Sequence, residues 1–339
     1  MARDQGKVGE NKSDVILNVP MACADEGAAV HFIESLRWGE DKTHECPRCS
    51  AGSEHVYKVM DRKNPDKRNK DYRWRCRKCG QFHTVRTGTV MEDCRVPMRH
   101  WCLAFWRCCA SKKGISAKQI QRETGLSYKS ALFLMHRVRF ALADMEGCKL
   151  TGIVEVDETY VGGKPRYRLP QAKMLRGGQK SNYQTRGERL ATVFAAVQRY
   201  GNVLAKVLPD IKAANLKAAV KEFVDESANL MTDEAKRYRK IGKQFASHSV
   251  VNHTAREYVR YEPHMLVTTN TIEGFFSLLK RGVYGTFHNV SKKHLHRYLS
   301  EFEFRYNTRK MDDGQRVMEA FKAAQGKRLM YREPMVRTA

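Results

Sequence analysis

The amino-acid sequence predicts a multidomain α/β chain, in which a mixed sheet with helices follows smaller N-terminal modules. Three observations carry that expectation. Two CxxC pairs stand at Cys46/Cys49 and Cys76/Cys79. Helical periodicity runs from Val96 to Leu142. From Thr151 onward, strand-like apolar runs take turns with amphipathic stretches.

Composition bounds the partners before any motif is weighed. The chain has 339 residues, enough for two or three domains. Lys and Arg number 62 against 37 acids, a formal charge of +25. So large an excess is unusual for an ordinary cytosolic enzyme and points to a polyanion, most simply double-stranded DNA. No apolar run approaches the roughly 20 residues of a membrane span. The opening stretch, MARDQGKVGENKSDVILNVP, lacks the apolar centre of a signal peptide. A cytoplasmic location without membrane attachment is therefore expected. Ten cysteines kept reduced there are metal ligands or buried apolar residues rather than disulfides.

The first module reads as a zinc ribbon. CPRC and CRKC are separated by 26 residues. Two such knuckles place Cys46, Cys49, Cys76 and Cys79 at the corners of a tetrahedron around one structural Zn²⁺, with no open position for water. The intervening DRKNPDKRNKD forms a polar hairpin tip between the strand-like HVYKVM and YRWRC. The basic tip suggests a phosphate contact. His44, His55 and His83 lie nearby and are not needed as ligands.

The second module reads as a helix-turn-helix. VPMRHWCLAFWRCCASKKG starts near Pro97 and stops at Gly114, with Trp101, Cys102, Phe105 and Cys109 on core spacings. SAKQIQRETGLSYKSALFLMHRVRFAL then gives two helices capped by Ser116 and Ser127, with the turn at Gly125 and Leu126. In such a unit Tyr128 and Lys129 reach DNA, while Lys118 and Arg122 meet phosphate.

The third module has the strand and helix order of a ribonuclease-H-like catalytic core. TGIVEVDETYVGG is a strand, RLATVFAAVQRYGNVLAKVLPD a hairpin turning at Tyr200–Asn202, and IKAANLKAAVKEFVDE a crossover helix. ANLMTDEAKRYRKIG is a strand passing into a helix, and SHSVVNH is a short strand. NTIEGFFSLLKRGVYG follows as a helix whose Ile272, Phe275, Phe276 and Leu279 share one apolar arc. Glu273 and Lys280, two turns apart, point the same way at the border of that arc. Asp157 on the first strand, Asp233 at the end of the fourth and Glu273 on the helix can converge and bind two Mg²⁺ (or Mn²⁺) through oxygen ligands. Such a pair would activate the attacking hydroxyl and stabilise the leaving oxygen in a displacement at phosphorus. Pattern alone leaves Glu155 and Glu158 as rivals of Asp157, and Asp210 and Glu234 as rivals of Asp233. His248 and His253 flank the short strand and read as structural or as supports behind the site.

The expected divisions are thus an N-terminal arm with a short helix (1–40), the ribbon (41–95), the helix-turn-helix (96–148), the catalytic domain (149–310) and a C-terminal tail (311–339). Residues 163–189 are a basic insertion with eight basic residues and one acid. Its Arg166, Arg168, Lys173 and Arg176 are placed to meet DNA beside the first catalytic strand.

These stretches resemble bacterial insertion-sequence DDE transposases of the zinc-ribbon, ISXO type, over residues 30–310. The likeness rests on CPRC…YRWRCRKCGQFHTVRTGTV, EVDETYVGGK, LMTDEA and TNTIEGFFSLLKRGVYGTFHNVSKKHLHRYLSEFEFRYN. It implies binding of element ends and target DNA, strand cleavage and strand transfer. It also implies a homo-oligomer of at least two copies, acting at the bacterial nucleoid. It selects Asp157 over its glutamate neighbours, makes Asp233 and Glu273 its partners, and makes Lys280 the basic residue after the third acid. Some relatives carry asparagine in the third position, and both Asn270 and Glu273 are present here. Arg281, Lys292 and Lys293 continue the basic DNA surface, with His288, His294 and His296 facing DNA or solvent. The other readings are a sequence-specific DNA-binding regulator and a nuclease without strand transfer.

Overall fold

A computed structural model describes residues 15–143, 147, 149–162, 190–263 and 265–330. The insertion residues Arg166, Arg168, Lys173 and Arg176 lie outside the described residues. The chain divides into two compact units, Met1–Asp144 with Thr308–Ala339, and Met145–Asn307.

In the first unit, helices α1 (Val15–Ala24) and α2 (Glu26–Trp38) pack with α3 (Met98–Ala110). Asp25 starts α2 by accepting the Ala28 N–H at 2.7 Å. Val19, Ala22, Ala29, Val30 and Ile33 are buried, so residues 15–38 are part of a core rather than an arm. The expected C-terminal tail likewise contains a helix, α10 (Asp313–Ala323). Its Val317 and Phe321, four apart, sit on one buried stripe. The Phe321 ring lies 4.3 Å from that of Phe105, and Arg316 donates to the Cys109 carbonyl at 3.0 Å. Cys102 and Cys109 are buried, as their spacing predicts.

The cysteine module carries a three-stranded antiparallel sheet, β1 (Val56–Lys58), β2 (Trp74–Cys76) and β3 (Phe82–His83). It is anchored to α2 by the fully buried Glu34, which accepts from Arg68 (2.9 Å) and the Trp74 indole (2.7 Å). His44 stacks on Trp38 and meets His83 nitrogen to nitrogen at 2.9 Å. Helices α4 (Ala117–Thr124) and α5 (Tyr128–Ala141) follow with Ser116 and Ser127 as their N-caps. Gly125 between them has φ +70, a left-handed turn that glycine enters without steric cost.

The second unit is a five-stranded mixed sheet. Its strands are β4 (Ile153–Val161), β5 (Ala191–Gln198), β6 (Val203–Leu208), β7 (Asn229–Asp233) and β8 (Ser247–Val251). Their order across the sheet is β6-β5-β4-β7-β8. β4, β5 and β6 are antiparallel, while β7 runs parallel to β4 and β8 parallel to β7. One face packs on α6 (Ala213–Phe223) and α7 (Lys236–Gly242), with Val154, Val156, Phe194, Val220 and Tyr238 in its core. The other packs on α8 (Asn270–Gly282) and α9 (Leu295–Asn307), with Val193, Ala195, Val197, Phe275 and Leu299. Cover on both faces explains why β5 is apolar nearly throughout. A hairpin unforeseen in the sequence, β9 (Val259–Glu262) with β10 (Met265–Thr268), lies between β8 and α8 and packs Val267 on Met231 and Val251.

The exposed edge of β6 is closed by side chains of α9. Asn307 accepts from the Val203 N–H (2.8 Å) and donates to its carbonyl (3.1 Å), mimicking a strand. Glu303 accepts the Ala205 N–H. Burial pushes the Glu303 carboxyl up to about 7 from 4.5, against that hydrogen bond. The folded chain therefore holds a proton that the unfolded chain has lost between these values, so this group lowers stability as pH rises through that window. Glu303→Gln keeps an acceptor and removes the titration. Its stability relative to wild type should improve between about pH 5 and about pH 8 in paired thermal melts. Equal differences at both pH values would contradict the burial of that carboxyl.

Candidate active site

Two clusters stand out, one in each unit. In the first, the sulfurs of Cys46, Cys49, Cys76 and Cys79 all lie within 4.8 Å of one another. Cys46 to Cys79 and Cys49 to Cys76 are each 3.8 Å. Four thiolates bound at about 2.3 Å to one tetrahedral ion have nearly this separation, so the set could hold zinc. Among the described residues it is the set of His, Cys, Asp and Glu that meets this closeness.

The second cluster is built of carboxylates. Glu155 pairs with Met231 in the parallel β4–β7 register, so Asp157 and Asp233 come next along adjacent strands on the same face. Asp157 is half-buried and accepts the Glu158 N–H at 2.7 Å. Asp233 accepts the Ala235 N–H at 3.1 Å. Glu273 projects from the first turn of α8 and is exposed. Burial pushes Asp157 up to about 7; the Glu158 N–H opposes the rise, and the negative charges of Glu158, Asp233 and Glu273 add to it. The three acids expected from sequence thus bear on one another electrostatically.

Their rivals have other partners. Glu155 is fully buried and accepts from Arg199 (2.8 and 3.2 Å), the Thr271 N–H and hydroxyl (both 2.8 Å) and the Ile272 N–H (3.1 Å). Glu158 faces the opposite side of β4, where Tyr238 and Arg237 bind it. Glu234 accepts from the Thr254 hydroxyl and from the His253 and Thr254 amides, which draws it down to about 2. Asp210 accepts the Lys212 N–H and the Asn215 amide. Asp157 and Asp233, by contrast, have no ion pair among the described residues.

Asn270 suits an N-cap by residue type, but Thr269 occupies that position and makes no side-chain cap bond. The orphan amides of α8 are instead capped by Glu155 from 116 residues away. Asn270 is exposed at the first helical position. Sequence reasoning weighed Glu155 as a ligand and missed this capping role. It also left His253 in the background, whose Nε2 lies 3.6 Å from the Glu273 carboxylate and 3.2 Å from the Thr269 hydroxyl.

Of the expected basic contacts, Lys118, Arg122, Tyr128 and Lys129 are all exposed, and Lys118 lies 5.9 Å over the Tyr128 ring. Arg281, Lys292 and Lys293 are exposed in the second unit, and Lys280 is half-buried.

The acids expected from sequence thus stand on β4, β7 and α8, and comparison with known proteins gives the class of the chain. Residues 149–307 match the ISXO2-like transposase domain. A protein of transposable element ISH50 from Halobacterium salinarum, itself uncharacterised, is 30% identical over 289 residues, spanning 83% of this chain and 90% of its own length. The chain belongs to the ISXO2-like transposase family, the family its motifs resemble. No helix among the described residues is long and apolar enough to cross a membrane.

Glu155→Gln should destabilise the second unit by about 3–5 kcal/mol, because it removes one partner of a buried ion pair and weakens the cap. A drop in Tm of about 6 °C or more is expected. A loss below about 1 kcal/mol would mean that α8 does not depend on this carboxylate.

Proposed function

We propose that the protein binds the terminal inverted repeats of an insertion sequence and catalyses strand cleavage and strand transfer from a ribonuclease-H-like core of the DDE type. The observation that supports this reading is the placement of Asp157 on β4, Asp233 at the end of the adjacent β7 and Glu273 in the first turn of α8, with Asp157 raised by burial and further by the charges of Glu158, Asp233 and Glu273. Three antiparallel strands followed along the chain by a crossover helix and two parallel strands support that core.

The donor set fits divalent metal. Three carboxylates offer hard oxygen ligands, Asp157 and Asp233 have no cation partner among the described residues, and bound positive charge would relieve the raised Asp157. Two Mg²⁺ or Mn²⁺ ions held there would supply charge neutralisation and Lewis acidity at the scissile phosphate. Asp157 and Asp233 would hold them from rigid adjacent strands. Glu273 would complete the set from a helix whose N-terminus Glu155 anchors. Lys280 would meet DNA phosphate beside it. In the first unit, the four cysteines would hold one structural Zn²⁺, and α4 and α5 would act as a DNA-binding helix-turn-helix through Lys118, Arg122, Tyr128 and Lys129. The insertion's Arg166, Arg168, Lys173 and Arg176, with Arg281, Lys292 and Lys293, would add phosphate contacts. Action on two ends calls for at least two copies, and DNA is the partner at the nucleoid.

The test uses purified full-length protein, labelled element-end DNA, a target plasmid and Mg²⁺ or Mn²⁺. Joined products are expected. Cleavage without joining would favour a nuclease, and binding alone a regulator. Glu273→Gln should abolish cleavage and joining while end binding persists. Asn270→Ala should change stability by less than about 0.5 kcal/mol, since Glu155 supplies the cap, and should lower activity only in part. Near-normal activity of Glu273→Gln with a dead Asn270→Ala would transfer the third ligand to Asn270.

Metal analysis tests the cysteine centre separately. Cys76→Ser should lose about one equivalent of zinc per chain. Unchanged zinc content would reject the ribbon.

A further inference from the structure

The outer face of the ribbon sheet is not used by anything described so far. In its register Tyr57 lies opposite Arg75, and Arg75 opposite Phe82. Strand alternation puts these three on one face, with Arg73 and Arg77 two residues to either side on the same face. The ladder continues there, with Val59 N–H donating to Arg73 (3.0 Å) and Arg77 N–H to His55 (2.8 Å). The inner face holds Trp74, Cys76 and His83, all buried. The outer face is open: the three arginines are exposed, and Phe82 is 47% exposed.

The guanidinium groups on this face rest on its rings. Arg75 and Arg73 lie 5.3 and 5.9 Å from the Phe82 centroid, and Arg77 lies 5.2 Å from that of Tyr57. A ring beneath a guanidinium restricts its rotamers and leaves its planar N–H edge for an anion, although Arg75 also donates its Nε to the Gly80 carbonyl at 3.3 Å. Asp71 touches the row, 2.8 Å from Arg73 at an exposed pair that competing phosphate can displace. The basic hairpin tip is less available than its sequence indicates, because Arg68 is turned inward onto Glu34 and the Tyr72 carbonyl.

We propose that this outer face docks the phosphate backbone of duplex DNA, with Arg73, Arg75 and Arg77 as ring-anchored phosphate contacts. The inference rests on the transposase reading and assigns part of its DNA affinity to named residues. Alternate residues of a strand are about 6.6 Å apart, so the three guanidinium groups span about 13 Å, the rise of about four base pairs. Guanidinium groups over the rings cover the surface on which an unpaired base would stack, which favours backbone over base contact.

The test measures binding of the zinc-loaded full chain to a labelled duplex of about 30 base pairs of arbitrary sequence, and to one of its single strands, across a salt series. Changing Arg73, Arg75 and Arg77 together to Gln should weaken duplex binding at least about tenfold and reduce the slope of log affinity against log salt by about 2.7, at roughly 0.9 per phosphate contact. Changing the three to Lys should keep the slope and weaken binding by a smaller factor. Phe82→Leu should behave like the Lys variant. Zinc content and melting temperature report that each variant is folded. An unchanged slope in the Gln variant overturns the proposal. So does tighter binding of the single strand that is lost in Phe82→Leu, which would make the rings a stacking surface. Failure of the wild-type chain to bind any DNA would instead sink the transposase reading itself.

Discussion

Five hydrogen bonds converge on the buried carboxylate of Glu155, from Arg199, Thr271 and Ile272. A buried charge is costly unless it is paired and fully bonded. Here the partners are a guanidinium and the positive end of a helix. Arg199 also donates to the carbonyls of Leu266 and Thr268 on β10, so the same guanidinium ties down the hairpin ahead of α8. The central strand, the hairpin and the helix carrying Glu273 are thereby fixed to one point. The position of the third acid relative to Asp157 depends on that point more than on any local property of α8, whose own N-cap makes no side-chain bond.

Three neighbouring acids on β4 show how strand alternation sorts chemistry. Glu155 and Asp157 share the face toward α8, and Glu158 points to α7. Glu155 and Glu158 are both neutralised by arginine. Asp157, between them, has only the N–H of its neighbour as a bonded partner and faces other acids. A half-buried acid without a cation partner, facing other acids, costs stability, and that is more typical of a functional site than of a structural ion pair.

The first unit is organised by a second buried acid. Glu34 joins α2 to the cysteine module through Arg68 and Trp74. Stacking of Trp38 on His44 extends that junction. The module is thus seated on a helical platform that α10 completes from the far end of the chain. With its inner face and Arg68 engaged in that seat, Arg73, Arg75 and Arg77 remain exposed on the outer face.

The cysteine pairs, the capped helices at Ser116 and Ser127 and the order of strands and helices along the second unit were legible in the sequence. Each rests on local spacing: two-residue knuckles, caps three residues from their amides, alternation along strands, a 3.6-residue stripe. The β9–β10 hairpin escaped because its strands are only four residues each, with Pro263 in the turn between them. The helical ends were misjudged as arm and tail because only their packing on α3 shows them to be core. Spacing also left several carboxylates equivalent. Which of them stayed without a cation was decided by partners distant in sequence: Arg199, 44 residues from Glu155, and Arg237 of α7 for Glu158. A sequence determines which groups a chain can offer and on which local face. Only the tertiary structure decides which of those groups meet a partner, because pairing a buried charge depends on elements that local periodicity does not connect.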